Sequence, residues 1–147
     1  PKYAVGVGGT YHFRESKAEI PDTFNIMLDY PNGPTVSLVS SMANGSPIRH
    51  MIRGSKATLT FTRKGFDIEP ERHLRDSMKP IHYDRVGAEN TNLHHKNLMN
   101  AIRRGEALNC DSDLGLRAVV ACELGTLSFR QRRYMRWDPA KKKPVAG

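Results

Sequence analysis

Phe24, Ile26, Leu28 and Tyr30 alternate with Thr23, Asn25, Met27 and Asp29, the two-residue period of a strand with one face in a core. After Pro31, Asn32, Gly33 and Pro34 the alternation resumes from Thr35 to Met42. Here Val36, Leu38 and Met42 share one side, and Thr35, Ser37 and Ser41 the other. The two segments predict an antiparallel hairpin. Asn-Gly suits the positive φ of a tight turn, and the flanking prolines, which donate no ladder hydrogen bond, belong outside the paired region. The face of Phe24, Ile26 and Leu28 calls for a helix against it. The opposite face mixes Asn25, Asp29, Thr35 and Ser37 with Met27 and Val39, a surface suited to water or to a protein contact.

The remaining pattern extends this picture in both directions. Tyr3 to Phe13 reads as a strand that twists near Gly8 and Gly9. Ile48 to Arg53, Ala57 to Arg63 and Phe66 to Glu69 read as further strands joined by turns at Gly54-Ser55 and Lys64-Gly65. From Pro70 to Asn90 the residues become charged and lose any sustained period, predicting a long surface loop. Thr91 and Asn92 are expected to cap a helix running to about Arg104, its end marked by Arg103, Arg104 and Gly105, with Leu98, Ala101 and Ile102 expected inward. Asp111 to Asp113 cap a second helix through about Arg132. Its Leu114, Ala118, Val119, Ala121, Cys122, Leu124 and Leu127 occupy more than one face, so it is expected to be the buried helix. Tyr134 to Trp137 is a last short strand. Strands followed by helices indicate an α+β domain: an open, mostly antiparallel β-sheet with helices packed on one face.

At 147 residues and 38% hydrophobic content the chain suits one core, and a single domain over residues 1–147 is expected. Residues 1–129 carry sixteen Lys and Arg against fourteen Asp and Glu, whereas residues 130–147 carry seven against Asp138 alone. The body is therefore nearly neutral, and residues 138–147 form a basic tail expected to be solvated and unstructured. Cys110 and Cys122 make no CxxC pair and no disulfide framework, which favours a reducing, cytoplasmic setting. No leader or membrane-length apolar run is present. Beginning at Pro1 without a methionine, the sequence is expected to be a fragment or processed piece.

Candidate chemistry is sparse. Gly6 and Gly8 fit the first two positions of a dinucleotide-binding GxGxxG, but Tyr11 occupies the third, and no strand precedes or helix follows to hold a pyrophosphate. His94 and His95 are adjacent, so on a helix they diverge by about 100°. No cysteine or carboxylate stands at ligand spacing with them, and no metal site is assigned. Ser40 and Ser128 lack the context of a nucleophile.

The segments DTFNIMLDYPNG, IRGSKATLTF, HHKNLMNAIRRGE and LSFRQRRYMRWDP, in that order and spacing, resemble the C-terminal domain of the Gfo/Idh/MocA oxidoreductases, the family of glucose-fructose oxidoreductase and inositol dehydrogenase. The resemblance implies a parent enzyme with an N-terminal Rossmann domain that binds NAD or NADP. In such an enzyme an open antiparallel sheet lines the substrate site and often mediates oligomerisation. The family's cofactor fingerprint, Glu-Lys-Pro lysine motif and Asp/His catalytic helix all precede the segment that matches. No catalytic or cofactor-binding residue is therefore assigned, and the chain alone is expected to bind no nicotinamide and turn nothing over. The expected role is a substrate-binding and oligomerisation domain for a sugar-like or polyol substrate. His12, Arg49, His50, His94 and His95 are the candidate pocket residues, and the face with Met27 and Val39 is the expected homo-oligomer contact. The alternative from a different class is a nucleic-acid-binding module acting through the basic tail. The acids that balance the bases elsewhere in the chain weigh against it.

Overall fold

The computed structural model describes residues 1–88 and 90–147; Glu89, at the end of the expected loop, lies outside the described residues. Along the chain come β1 (Tyr3–Gly9), β2 (Thr23–Asp29), β3 (Thr35–Ser41), β4 (Met51–Arg53), β5 (Ala57–Phe61), β6 (Gly65–Pro70), a 3-10 turn (Arg72–Leu74) and β7 (Ile81–Asp84). Then follow α1 (Thr91–Arg104), α2 (Ser112–Gln131), β8 (Met135–Asp138) and β9 (Lys143–Ala146). The strands form two open antiparallel sheets, ordered β3-β2-β1-β8-β9 and β4-β5-β6-β7, and the class is α+β. The chain divides into two compact units, Pro1–Ser46 with Leu108–Gly147, and Pro47–Ala107.

In the first unit α2 lies on the five-stranded sheet, mainly over the central strand β1. The expected hairpin forms, with Ile26 opposite Leu38 and Leu28 opposite Val36. Asn32 supplies the positive φ of its turn, and the Gly33 N–H donates to the Tyr30 carbonyl. Ile26 and Leu28 join Ala4, Val120, Ala121, Leu124 and Met135 in the core, with Phe24, Tyr30, Val36, Leu127 and Trp137 packed around them. Each large side chain so covered contributes about 1.5–3 kcal/mol. Two glycines let the layers approach. A Cβ on Gly6 would stand 2.1 Å from the Gly125 carbonyl oxygen, and one on Gly125 would stand 2.5 Å from Ile26 Cδ1. Gly6 and Gly8 thus lie within a paired strand and at no strand-to-helix turn.

Both ends of α2 follow local rules. The Asp111 carboxylate accepts the Leu114 N–H, and Arg132, in the left-handed region at φ 55°, closes the last turn with its N–H on the Ser128 carbonyl. The tail corrects expectation, because residues 143–146 pair with β8 instead of remaining unstructured. Asp138 turns the chain by accepting the Ala140 and Lys141 N–H groups at 3.1 and 3.0 Å, and Lys142 adopts φ 47°. Pro144 and Val145 become half-buried as a result.

In the second unit, register brings Ile52, Leu59, Ile68 and Ile81 into one row across four strands, with Phe61, Phe66 and Tyr83 in the next row of the same face. The Phe66 and Tyr83 rings stack at 5.1 Å. The opposite face carries Thr58, Thr60, Asp67, Glu69 and His82, one polar residue after another. The stretch expected as one long loop contains the 3-10 turn and β7. Ile81 and Tyr83 find a half-covered sheet face there, and the strand is too short for its period to stand out among charges.

Helix α1 ends at Arg104 as expected, with Gly105 at φ 69° as its C-cap, but its N-cap is Asn90, whose side chain accepts the Asn92 N–H, so Thr91 and Asn92 lie inside the helix and do not cap it. Its orientation differs from expectation. Asn97 is buried, its amide donating to Glu106 Oε1 at 3.1 Å and the Ala107 carbonyl at 2.9 Å. Ile102 is 70% exposed, and Leu98 is exposed as well. The amide's two hydrogen bonds fix which side of the helix faces its following loop, and the apolar stripe is left outward.

Candidate functional site

The five candidate pocket residues are solvent-facing. His12 lies in the first unit, where its backbone N–H donates to Asp22 Oδ2 at 2.7 Å and its ring meets Phe13 edge-on at 4.6 Å. Arg49 and His50 precede β4 in the second unit, and the His50 carbonyl accepts the Phe61 N–H. His94 ends the first turn of α1 and His95 begins the second. Neither Arg49 nor His50 makes a hydrogen bond or ion pair with either of these histidines. The second unit therefore presents two pairs of donors suited to hydroxyl groups, and among the described residues no nucleophile and base are brought into one constellation.

The open face of the five-stranded sheet is more developed. Val5 pairs with Met27 and Val7 with Asn25, and Asn25 pairs in turn with Val39. Val7, Met27 and Val39 are each more than half exposed. In the next row Tyr3 stands between Asp29 on β2 and Arg136 on β8, so an acid, an aromatic ring and a base follow one another across three strands. Tyr3, Val5, Met27, Asp29, Thr35 and Tyr134 line a hollow of about 380 Å³ on this side. Apolar and aromatic walls with a single carboxylate suit a contact with a protein surface or an amphipathic group.

Two polar clusters escaped the sequence. Asp22, 3% exposed, gathers the backbone N–H groups of Tyr11, His12 and Phe13 on one oxygen at 2.7–3.0 Å. Burial pushes its carboxyl up, but the N–H groups of Phe13, His12 and Tyr11 and the Thr23 side chain outweigh this, and the group lies below the ordinary carboxylate range. Nothing in a polar connector announces such a nest. The only signal is the position of an aspartate directly before the first residue of a strand. His82 holds Asp67 through Nδ1 at 2.5 Å and Asp84 through Nε2 at 3.2 Å. These two carboxylates, Asp67 first, raise it above the ordinary histidine value. Recognising β7 would have placed His82 opposite Asp67. Among the described residues no group of three or more His, Cys, Asp or Glu side chains is arranged to hold a metal ion. No described helix is long and apolar enough to cross a membrane.

The family model for the Gfo/Idh/MocA C-terminal region, described as "oxidoreductase family, C-terminal alpha/beta domain", matches residues 2–136. No curated protein matches the chain. Among solved structures, a candidate NADPH-dependent oxidoreductase from Desulfitobacterium hafniense DCB-2 is similar over 90% of this chain and 41% of its own, at TM-score 0.69 and 13% identity. The candidate oxidoreductase YvaA from Bacillus subtilis is similar over 92% of this chain and 46% of its own, at TM-score 0.64 and 20% identity. At these identities the likeness is one of fold, and the chain spans less than half the length of either relative.

Proposed function

The chain belongs to the Gfo/Idh/MocA oxidoreductase C-terminal domain family, and on that premise we propose that it is the substrate-binding and assembly domain of an NAD(P)-dependent oxidoreductase acting on sugar-like or polyol substrates. The observation that carries this reading is the family match over residues 2–136. Two further observations support it: the relatives extend well beyond the matched region, and one of them is described as NADPH-dependent. The remainder of such an enzyme supplies the Rossmann domain and its cofactor. This chain supplies hydrogen-bond donors for substrate hydroxyls, with Arg49, His50, His94 and His95 as the candidates and His12 as a further one. Two exposed free cysteines, Cys110 and Cys122, suit a cytoplasmic enzyme.

The assembly role falls to the open face of the five-stranded sheet. If two copies stack face to face about a two-fold axis along β1, Tyr3 meets Tyr3, and each Asp29 meets an Arg136, while Val5, Met27 and Val39 supply the apolar centre. Sedimentation of the chain with and without Met27→Lys tests this contact. A monomer at high concentration, indifferent to the added charge, removes the assembly role.

The test of function uses the full-length gene product and a panel of sugars and polyols. Turnover dependent on NADH or NADPH is expected. Replacing His94 and His95 together by alanine should raise KM for the substrate by about tenfold or more, the loss of one good hydrogen bond to a charged or polar group. The cofactor Kd should not move. Nicotinamide-dependent turnover absent from the whole panel, or a substitution that weakens the cofactor alone, refutes the reading.

A further inference from the structure

Among the described residues β7 is an edge strand that pairs with β6 alone, and all four of its residues are exposed. Arg85 donates its N–H to the Lys64 carbonyl, which fixes the ladder. Lys64 and Arg85 form a hydrogen-bonded pair, and by alternation so do Phe66 with Tyr83 and Ile68 with Ile81. Asp67 and His82 fall between these as a non-hydrogen-bonded pair, the kind that brings side chains closest. Ile81 and Tyr83 are each about half exposed, so apolar burial holds this strand weakly.

The central fastening is polar. His82 meets Asp67 Oδ1 through Nδ1 at 2.5 Å and Asp84 Oδ1 through Nε2 at 3.2 Å. A carboxylate only accepts, and a neutral imidazole has one N–H and one bare nitrogen. The neutral ring therefore satisfies one acid and turns a lone pair on the other, whereas the imidazolium satisfies both. Among the described residues no lysine or arginine pairs with either carboxylate. Alternation places Glu69 of β6 and Arg53 of β4 on the same face, while β5 contributes Thr58 and Thr60. Glu69 adds to the negative field around the ring. Arg53, with its Nε on Met51 Sδ at 3.3 Å, lies on the second strand from β6, and Lys56 and Glu71, bonded through their backbones, lie beyond the strand ends.

We propose that His82 is a proton-operated latch: as the imidazolium it pins β7 to β6, and its deprotonation releases β7, so that residues 71–88 open together as one long connection. Apart from this contact the stretch has little strand character, since its residues show no sustained period. The two carboxylates, Asp67 first, raise His82 above its ordinary value. The latch is thus fully engaged below the unfolded value of about pH 6.5 and is lost as pH rises through the folded one. Opening is local, and the β4-β5-β6 ladder persists.

Hydrogen exchange of the full chain, corrected for its intrinsic pH dependence, tests the latch from about pH 6 to about pH 9. The Ile81 and Tyr83 amides donate across to β6. Their protection should fall by roughly two- to fivefold, the range of an exposed ion pair, while Thr58 and Thr60, bonded to β6 from the other side, hold steady. His82→Gln, which loses the charge, should abolish the pH dependence and leave protection at the parent's high-pH level. At about pH 6.5 nitrogen NMR should show both ring nitrogens of His82 protonated in most molecules, and Asp67→Asn should lower that fraction. Protection of β7 that is flat with pH overturns the proposal. So does a slope that survives His82→Gln, a ring half neutral at about pH 6.5, or a loss at Thr58 and Thr60 in step with β7, which would make the whole sheet the opening unit.

Discussion

Ser128→Ala isolates one side chain that joins three segments of the first unit. The hydroxyl is 1% exposed, accepts the Gly6 N–H of β1 at 3.0 Å and donates to the Arg133 carbonyl at 2.6 Å just beyond α2. β8 pairs with β1 only at Tyr3 and Ala4, so Gly6 has no strand on that side and depends on the hydroxyl for its N–H. Alanine leaves both backbone groups without a partner. A buried orphan costs about 1–3 kcal/mol, and since the Arg133 end is only part-buried, the total should be about 2–4 kcal/mol. For a chain of this length each kcal/mol moves Tm by roughly 2–4 °C, predicting a fall of about 4–16 °C. Near-UV circular dichroism at Trp137, which packs on the same core, follows that unit through urea denaturation. The midpoint should drop while the m-value holds, because the surface exposed on unfolding is unchanged. Ser128→Cys, with a weaker donor and acceptor, should fall between the two. A Ser128→Ala midpoint within about 0.5 kcal/mol of the parent, the range of an ordinary surface change, would refute the hydroxyl's bridging role.

Three further outcomes are expected. Asp22 has its folded pKa depressed below its unfolded value, so its stabilisation should be present above about pH 4 and vanish as pH falls through the folded value; the gap between the parent and Asp22→Ala, measured by denaturation from pH 7 to pH 2, should narrow in acid. Gly6→Ala, which drives a Cβ against the backbone oxygen of Gly125, should cost more than about 3 kcal/mol. The Cβ of Gly125→Ala would stand 2.5–2.8 Å from Cδ1, Cγ2 and Cγ1 of Ile26, a side chain and not backbone, and the variant regains about 1 kcal/mol of helix propensity, so it should cost less than Gly6→Ala; equal urea midpoints for the two variants would discredit the close layer contact. Deleting residues 140–147 removes the β9 pairing and the half-buried Pro144 and Val145, so Tm should fall by several degrees, or about 1–2 kcal/mol; an unchanged Tm in differential scanning calorimetry would mean that the strand is not formed in solution.

What the sequence made legible were the features set within a few residues of one another. The alternation of Phe24, Ile26 and Leu28 against Thr23, Asn25 and Met27 gave strand, face and partner, because a half-buried strand has no other way to place its apolar atoms. Asp111 and Gly105 marked helix ends, since each satisfies backbone groups from an adjacent turn. Features that depend on distant partners were hidden. β7 is defined by β6, and β9 is defined by a turn at Asp138 and a free edge on β8. Ser128 has no nucleophile motif because its role is to bridge Gly6 and Arg133, a long-range bond that sequence spacing does not encode. The candidate pocket residues were chosen by type and by proximity to strand or helix ends. Their placement in two units follows from a topology in which residues 47–107 are inserted between β3 and α2.

The inverted burial of α1 bears most directly on how this domain works. A helix on a free-standing unit places its apolar stripe inward, since each large side chain so covered contributes about 1.5–3 kcal/mol. Here the buried residue is Asn97, and Leu93, Leu98, Met99 and Ile102 face out. The four-stranded sheet of the same unit repeats the pattern, with Ile52, Phe61, Ile81 and Tyr83 each about half exposed on its apolar face. The Asn97 amide explains what holds α1 in this orientation, and Leu124, fully buried in the first unit, shows that the chain can form a core where its layers meet. Contiguous exposed apolar surface of this kind is commonly found at contact sites. His94 and His95 stand near the start of that same helix. A contact that covered Leu98 and Ile102 would bear on the same helix that carries His94 and His95.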